Sequence, residues 1–324
     1  MSDLSAGAEG LARITLDAVR DAHRRIEPYI HRTPVIHSRL LNAHCESEVY
    51  FKCENLQKVG AFKARGALNA VLGLDASELE AGVATHSSGN HGAALAMAAG
   101  VRGIPARIVM PSNAPAVKKA AVRTYGGEII ECEPTLIARE STLEQVVAEH
   151  GSHVVHPYDD PRIIAGQGTV GLELAEQLDA FDVVVVPVGG GGLLAGVATA
   201  IKALRPGVEV IASEPAGADD AFRSFGLGER VLQESPDTIA DGLLTSLGVL
   251  NYAVIRERVD TIVTVEDTTI IEAMKLQWSR LKTVVEPSGA VTFAALLEHP
   301  ERFRGRRVAC VISGGNLDLE KLPW

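Results

Sequence analysis

The sequence predicts an α/β protein with two open, mostly parallel β-sheets in two domains. Short β-rich runs alternate with helix-like segments of about 10 to 15 residues, a pattern typical of β-α units. About ten strands are too many for one compact open sheet, so two sheets are expected. The β-rich runs occupy residues 49–53, 82–86, 106–110, 128–132, 153–157, 183–188, 209–213, 261–265 and 308–312.

Helix-like segments lie before and between these runs. Leu16, Val19, Ile26 and Ile30 recur close to the helical period and predict an amphipathic helix near the N-terminus. Two further helices are predicted over residues 89–100 and 114–125. No low-complexity linker or tandem repeat interrupts the chain, so we expect it to cross between the domains more than once and to leave a cleft between them.

The acidic composition argues against nucleic acid or an anionic membrane as the main partner. The chain has 324 residues, with 31 Lys and Arg against 41 Asp and Glu and a formal net charge of −10. Both of those polyanions attract positively charged proteins. Aromatic residues make up only 4%, too few for a surface that stacks bases. An anionic ligand must therefore be held by local donors.

Nothing in the sequence predicts a membrane or secreted protein. No uninterrupted apolar run approaches the roughly 20 residues that span a bilayer, and the N-terminus is polar and acidic, unlike a signal peptide. Cys45, Cys53, Cys132 and Cys310 contain no C-x-x-C pair and are expected to be reduced, mostly buried thiols. A cytoplasmic protein is predicted.

The first candidate motif is G-A-F-K-A-R-G at residues 60–66, which places Lys63 at the start of a helix. Strand-to-helix turns are the positions to search, because ligands of open α/β sheets bind at the carboxyl ends of strands. The positive end of the helix dipole disfavours a charged amine, which lowers its pKa and makes it a better nucleophile. A solvated surface lysine is the alternative interpretation.

The second motif is T-H-S-S-G-N-H-G, which follows a strand and opens a helix. Ser88, Gly89, Asn90 and His91 present a hydroxyl, a backbone amide, a side-chain amide and an imidazole at one helix N-terminus. Such a turn can receive a carboxylate or a hydroxyl. A simple cap by Ser88 or Asn90 is the alternative, although these groups together exceed what a cap requires.

The third motif is the run Gly189, Gly190, Gly191 and Gly192 between a buried strand and a helix. Four glycines let successive backbone N–H groups approach an anion closely, so a phosphate cradle is predicted. The segment is not a P-loop and is a poor dinucleotide fingerprint. A flexible turn is a weak alternative, because four glycines are entropically costly without a ligand.

Two more segments end strands with polar groups. Ser313 precedes two glycines and can present its hydroxyl to a ligand in the cleft, with a plain turn as the alternative. Glu214 and Asp220, together with a backbone carbonyl such as that of Ala218, make a hard oxygen set suited to Mg²⁺ or Ca²⁺. An exposed acidic loop is the alternative there.

Together, these motifs resemble the pyridoxal-phosphate (PLP) enzymes of the serine racemase and serine/threonine dehydratase family. The resemblance runs from H-R-T-P-V at His31 to S-G-G-N-L-D at Asp318 and includes A-G-Q-G-T, I-A-D-G and E-P in the family's order. It implies the two-domain PLP fold type II, tryptophan synthase β-like, with the active site in the interdomain cleft. Residues 1–79 and 156–324 would form the large PLP-binding domain, and residues 80–155 the small domain.

The resemblance also implies roles for particular residues. Lys63 would carry PLP as a Schiff base, and Ser88 would be a second acid–base group on the opposite face. Ser313, being neutral, would leave the pyridine nitrogen largely unprotonated. The implied cofactor-binding residues are Phe62, Lys63, Asn90, Gly189, Gly190, Gly191, Gly192 and Ser313. The implied substrate-binding residues are Ser87, Ser88, Asn90, His91 and Arg139, and the implied cation ligands are Glu214, Ala218 and Asp220.

The implied activity is a PLP-dependent ammonia-lyase that converts L-threonine or L-serine to a 2-oxo acid and ammonia by α,β-elimination. Serine racemase and 3-hydroxyaspartate dehydratase are alternatives with the same cofactor chemistry. Arg139 would hold a second carboxylate bidentately, or it is an exposed helix arginine. The resemblance further implies a homodimer, a small amino-acid substrate and a divalent cation, Mg²⁺, Ca²⁺ or Mn²⁺. A dinucleotide-dependent oxidoreductase, from a different class, is disfavoured by the absence of an early G-x-G-x-x-G.

Overall fold

Ten β-strands form two sheets in the computed structural model, which describes residues 10–324. The prediction of two mostly parallel sheets is confirmed. The strands are β1 (Val35–His37), β2 (Glu48–Cys53), β3 (Val83–His86), β4 (Ala106–Pro111), β5 (Glu128–Cys132), β6 (His153–Val154), β7 (Val183–Pro187), β8 (Glu209–Pro215), β9 (Thr261–Val265) and β10 (Arg307–Ile312).

The larger sheet has the strand order β1-β2-β10-β7-β8-β9, and the smaller has the order β5-β4-β3-β6. Every neighbouring pair is parallel except β1 with β2, which is antiparallel. Every residue of β7 is buried, as expected for a central strand covered by helices on both faces. The smaller sheet draws its strands only from residues 83–154, which agrees with the expected composition of the small domain; the domain boundaries themselves stay a prediction.

Helices flank both sheets. They are α1 (Leu16–Ile26), α2 (Arg39–Cys45), α3 (Lys63–Leu72), α4 (Ala76–Leu79), α5 (Asn90–Arg102), α6 (Ala116–Thr124), α7 (Leu136–His150), α8 (Pro161–Gln177), α9 (Gly192–Leu204), α10 (Asp220–Leu227), α11 (Val249–Arg258), α12 (Asp267–Leu281), α13 (Pro287–Glu298) and α14 (Pro300–Phe303). Within the described residues, no helix is long and apolar enough to cross a membrane.

The structure departs from the expected elements at three places. The N-terminal helix stops at Ile26 and does not reach Ile30, because Pro28 cannot continue a helix interior and residues 27–29 form a 3₁₀ turn. Strand β1 was not expected, since three residues are too few to show alternation. The run 153–157 supplies only the two-residue strand β6.

Helix α8 lies at the centre of the helical packing because its glycines let two neighbouring helices come close. A Cβ on Gly166 would lie 2.7 Å from the carbonyl oxygen of Arg65 and from Cα of Gly66, both on α3. A Cβ on Gly168 would lie 3.0 Å from the carbonyl oxygen of Gly196 on α9. The A-G-Q-G-T segment therefore packs α8 backbone-to-backbone against both α3 and α9.

We predict that Gly196→Ala destabilises the protein by about 1–3 kcal/mol, because its Cβ would lie 2.5 Å from the backbone nitrogen of Gly168 on α8. Urea unfolding of the variant measures the loss. The matched control is Gly207→Ala, where an added Cβ meets no atom within 4 Å. Equal midpoints for Gly196→Ala and Gly207→Ala would contradict the close packing of α8 and α9.

Candidate active site

The lysine motif and the C-terminal S-G-G-N segment meet in space. Ala61 forms an isolated antiparallel bridge with Gly314, and the backbone N–H of Phe62 donates to the Ser313 carbonyl oxygen at 3.0 Å. Helix α3 begins at Lys63, as the sequence predicts. Residues that are about 250 positions apart thus form one wall of a candidate site.

Lys63 is in an environment that favours its neutral amine. Its Nζ donates to the carbonyl oxygen of Pro157 at 2.7 Å and lies 5.2 Å from the centroid of the Phe62 ring. Burial lowers the pKa of Lys63 to about 8. The cause is loss of hydration, so the amine is closer to its nucleophilic form at neutral pH than an exposed lysine would be.

The four glycines lie between β7 and the N-terminus of α9, and all are buried. None of the backbone N–H groups of Gly189, Gly190, Gly191 and Gly192 donates a hydrogen bond to another described residue. Buried backbone donors are rarely left unpaired. Four such donors at the positive end of a helix fit the phosphate of a bound cofactor.

The glycine segment is held in place from its other side. The carbonyl oxygen of Gly190 accepts from Asn251 Nδ2 at 2.7 Å and from the Gly248 N–H at 3.1 Å. In a planar trans peptide the following N–H points away from the carbonyl, so these bonds direct the Gly191 N–H toward the opposite side. Gly191 has φ +92°, and a Cβ on Gly190 would clash with the Tyr158 ring. Packing as well as ligand access therefore explains the glycines.

Asn251 itself is fixed by its position at the start of α11. Its side chain is fully buried, and Nδ2 also donates to the Tyr158 carbonyl oxygen at 3.1 Å. The Asp159 carboxylate accepts from the backbone N–H groups of Val249, Leu250 and Asn251. The Tyr158–Asp159 segment follows Pro157, the acceptor of the lysine bond. One stretch of chain thus contacts both Lys63 and the glycine segment.

The serine turn precedes α5, which begins at Asn90. Ser87 Oγ accepts from the N–H groups of Gly89 at 3.3 Å and Gly92 at 3.2 Å, so Ser87 stabilises the turn. The alternative of a cap by Ser88 or Asn90 does not describe this turn. The Ser88 side chain is half-buried and makes no hydrogen bond to another described residue. Its hydroxyl is free to meet a ligand.

Asn90 connects this turn to the large-sheet elements. Its Nδ2 donates to Glu286 Oε1 at 3.0 Å, and its Oδ1 accepts from Asn316 Nδ2 at 2.9 Å. The Asn316 N–H donates to Glu286 Oε2 at 2.9 Å. Burial raises the pKa of Glu286 to about 8. The sequence motifs contained E-P and S-G-G-N, but they did not predict that Glu286 and Asn316 hold Asn90.

His91 and Arg139 are placed differently from the other candidates. The His91 ring is buried, its Nε2 lies 3.2 Å from the Val155 carbonyl oxygen, and burial lowers its pKa well below the usual value. Arg139, on α7, is half-buried, and its charge contributes to lowering the pKa of His86 at the end of β3. The substrate roles of both residues stay predictions.

Ser313 follows directly after β10 and is 3% exposed. Its hydroxyl donates to the Ser288 carbonyl oxygen at 3.3 Å. The residue at this position is thus a neutral hydroxyl that has one weak partner. It can exchange that partner for a ligand nitrogen without leaving a buried charge.

The acidic segment is buried, so the alternative of an exposed acidic loop is wrong. Strand β8 extends to Pro215 and contains Glu214, while Asp220 is the first residue of α10; both side chains are 0% exposed. Glu214 accepts from the N–H groups of Ala221 at 3.1 Å and Phe222 at 2.8 Å. Asp220 Oδ2 accepts from the Leu247 N–H at 2.7 Å, and its Oδ1 has no hydrogen-bond partner among residues 10–324.

The charges of these two carboxylates fit a bound cation. Burial and repulsion by Asp220 raise the pKa of Glu214 well above its usual value, and burial raises the pKa of Asp220 to about 6. A cation between them would offset both costs and would give Asp220 Oδ1 a partner. Among residues 10–324 no cluster of three His, Cys, Asp or Glu side chains could hold a metal. A site here therefore depends on the Ala218 carbonyl and water as further ligands.

The parallel sheets, the four unpaired glycine N–H groups and the amine of Lys63 fit an enzyme that uses an anionic, amine-reactive cofactor. Residues 26–314 match the family model of the pyridoxal-phosphate dependent enzymes, and the chain belongs to that family. It is 51% identical over 310 residues to the beta-hydroxyaspartate dehydratase of Paracoccus denitrificans, covering 96% of this chain and 98% of that one. It is 47% identical to the serine racemase of Dictyostelium discoideum, covering 97% and 98% of the two chains.

Solved structures of the same family superpose closely on this chain. Maize serine racemase gives a TM-score of 0.93 at 46% identity, with 94% of each chain covered. The processed form of threonine deaminase isoform 2 from Solanum lycopersicum gives a TM-score of 0.90 at 34% identity, with 94% of this chain and 85% of that one covered. The family and fold expected from the sequence motifs are confirmed.

We predict that Asn251→Ala weakens PLP binding about tenfold or more, because the Gly190 carbonyl loses the shorter of its two bonds and the Gly191 N–H is then less well directed. PLP titration of the apoprotein, followed by absorbance, measures the dissociation constant. The control is Thr199→Val, which removes the bond from Arg258 to Thr199 at the far end of α9 and α11. A loss of affinity shared equally by both variants would mean that Asn251 only stabilises the helix pair.

Proposed function

We propose that this chain is a PLP-dependent ammonia-lyase that converts L-threonine or L-serine to a 2-oxo acid and ammonia. The observation that carries the proposal is that one chain segment, residues 157–159, contacts both the amine of Lys63 and the neighbours of the glycine segment. The four glycine N–H groups at 189–192 have no hydrogen-bond partner among the described residues. The similarity to dehydratases, racemases and threonine deaminases supports a substrate with a small β-hydroxyl side chain.

We assign the cofactor contacts from the positions described above. The glycine amides would bind the phosphate, Phe62 would lie against one ring face, Asn90 would bond the 3-hydroxyl, and Ser313 would face the pyridine nitrogen. PLP, when bound, withdraws electrons from Cα of the attached amino acid and makes its Cα proton acidic. Because Ser313 carries no negative charge, it does not hold a proton on that nitrogen, and elimination is favoured over transamination.

Lys63 would then remove the Cα proton. Its pKa of about 8 keeps a useful fraction of the amine unprotonated near neutral pH. The electron pair of the Cα–H bond would form the Cα–Cβ double bond as the β-hydroxyl leaves. The hydroxyl would take up one proton, which balances the one that Lys63 removed, and leave as water. The released unsaturated amine hydrolyses to the 2-oxo acid and ammonia, which balances the reaction.

A racemase activity is the second candidate, and the free hydroxyl of Ser88 favours it. Ser88 lies in the turn before α5, whereas Lys63 is the first residue of α3, so two different elements carry these groups. Two acid–base groups carried by different elements can act on opposite faces of Cα. The half-buried Arg139 would suit a second substrate carboxylate, as in 3-hydroxyaspartate. The homodimer and the cytoplasmic location stay predictions.

Lys63 is expected to be the lysine that carries PLP. Borohydride reduction of the holoenzyme followed by peptide mapping should place the label on Lys63 alone. Lys63→Ala should lose turnover, since it removes both the covalent anchor and the Cα base. The control is Lys58→Ala, a lysine in the turn just before the motif. A label on another lysine would contradict the mechanism.

Ser88→Ala should lower conversion of L-serine to D-serine by about 10²–10⁴-fold while sparing much of the 2-oxo acid formed from L-serine. The reason is that elimination from the L-substrate needs only Lys63. The measurement is the ratio of D-serine to 2-oxo acid before and after substitution. Ser87→Ala, which removes the acceptor of the Gly89 and Gly92 bonds, should lower both products together. Equal losses in Ser88→Ala would make Ser88 a binding residue only.

A divalent cation is expected at Glu214, Asp220 and the Ala218 carbonyl. Mg²⁺, Ca²⁺ or Mn²⁺ should raise the melting temperature and activity of chelator-treated protein, because an ion that binds the folded state stabilises it by mass action. Asp220→Asn should remove this response. The control is Asp219→Asn, a partly exposed carboxylate that pairs with Arg223. If Asp220→Asn responds to the metal like the parent, the cation lies elsewhere.

A further inference from the structure

A closed network of four buried charges lies directly beneath the start of α3. Arg65, two residues after Lys63, donates to Glu54 through Nε at 2.7 Å and Nη2 at 2.8 Å. It donates to Glu173 through Nη1 at 2.7 Å and Nη2 at 2.9 Å. Lys52 adds a second cation, 2.5 Å from Glu173. All four side chains are 0% exposed.

The network is balanced in charge and fully bonded. The two cations match the two carboxylates, and Arg65 Nη1 also donates to Thr169 Oγ1 at 3.1 Å. Lys52 Nζ also donates hydrogen bonds to the Thr33 carbonyl oxygen at 2.9 Å and to Gln177 Oε1 at 2.8 Å. Such geometry is what a buried ion pair needs to offset its desolvation. It joins β2 and α3 to α8, which lies about 100 positions further along the chain.

The first turn of α3 lacks a side-chain cap and is held by contacts with other elements. The N-cap residue Phe62 makes no capping bond. Instead, the Gly66 N–H donates to Gln167 Oε1 on α8 at 3.2 Å. The rigid, planar fork of Arg65 fixes direction as well as distance, which a single point charge does not. The turn that carries Lys63 is thus oriented by α8 and by the residue that follows β2.

We propose that Arg65 is a positioning residue, which through Glu54 and Glu173 holds Lys63 Nζ in register with the glycine segment. The proposal rests on the assignment of Lys63 as the PLP lysine. Gly66 and Gly166 let α3 pack against α8, and Gly168 lets α9 pack against α8. The Lys63 amine on α3 and the glycine segment at the start of α9 are therefore both positioned by α8. The ion network sets the rotation of α3 on that helix, and the rotation decides where the amine points.

The test is Arg65→Lys, which keeps the buried positive charge but removes the bidentate hydrogen bonds to Glu54 and Glu173. PLP rebinding to the apoprotein, well below the melting temperature, should weaken by about 10- to 100-fold. The pH midpoint for covalent attachment should rise, because a displaced amine gains water and its pKa returns toward the ordinary lysine value. In the holoenzyme, kcat should fall more than KM rises.

Two further variants keep the result interpretable. Thr169→Val removes one acceptor of the guanidinium and leaves every charge paired, so it should show a smaller change of the same kind even if Arg65→Lys folds poorly. Phe303→Leu destabilises a buried position packed with the larger sheet and should leave PLP affinity and the pH midpoint unchanged.

Normal PLP affinity and an unchanged pH midpoint in Arg65→Lys and Thr169→Val, with only a lower melting temperature, would overturn the proposal. A comparable loss of affinity in Phe303→Leu would also overturn it, because instability alone would then explain the effect. Borohydride labelling of the parent separates the two hypotheses. A label on Lys63 with normal affinity in Arg65→Lys contradicts only the positioning role, whereas a label elsewhere contradicts the proposed function as well.

Discussion

The backbone-to-backbone contact of α8 with α3 and α9 is the constraint on which the rest of the site depends. Gly166 meets Gly66 on α3, and Gly168 meets Gly196 on α9. Side chains at these positions would separate the helices and move their N-termini independently. Because those N-termini carry the amine of Lys63 and the N–H groups of the glycine segment, a single rigid helix sets the spacing of two chemically different anchors.

The buried charged and polar groups near α3, α8 and α9 are of two kinds, those paired within the protein and those left unpaired. Beneath α3, cations and carboxylates pair within the protein, so the region needs no ligand to offset desolvation. At the glycine segment and at Glu214 with Asp220, donors or carboxylates remain without partners of opposite charge. The paired group is therefore part of the fold, and the other two groups are where a bound anion or cation would compensate what the protein leaves unpaired.

The sequence predicted features that depend on local residues and missed those that depend on distant ones. Lys63 at a helix start and glycines before a helix follow from strand-turn-helix patterning, and the structure places both as expected. The bond of Asn251 to Gly190 and the contact of Asn90 with Glu286 join residues 61 and 196 positions apart. No periodicity or motif spacing encodes such pairings, which appear only when the sheet order is known.

The structure gives a different physical cause for the lowered pKa of Lys63 from the one that the sequence suggested. The sequence suggested the helix dipole, which acts on any amine at that position, whereas the structure shows burial as the cause of the lowered pKa. Burial depends on closure around the amine by Pro157 and Phe62. Ser88 lies in the turn just before Asn90, whose side chain binds Glu286 and Asn316. The Asn90 contacts therefore join the serine turn to the wall that the lysine motif forms with the S-G-G-N segment.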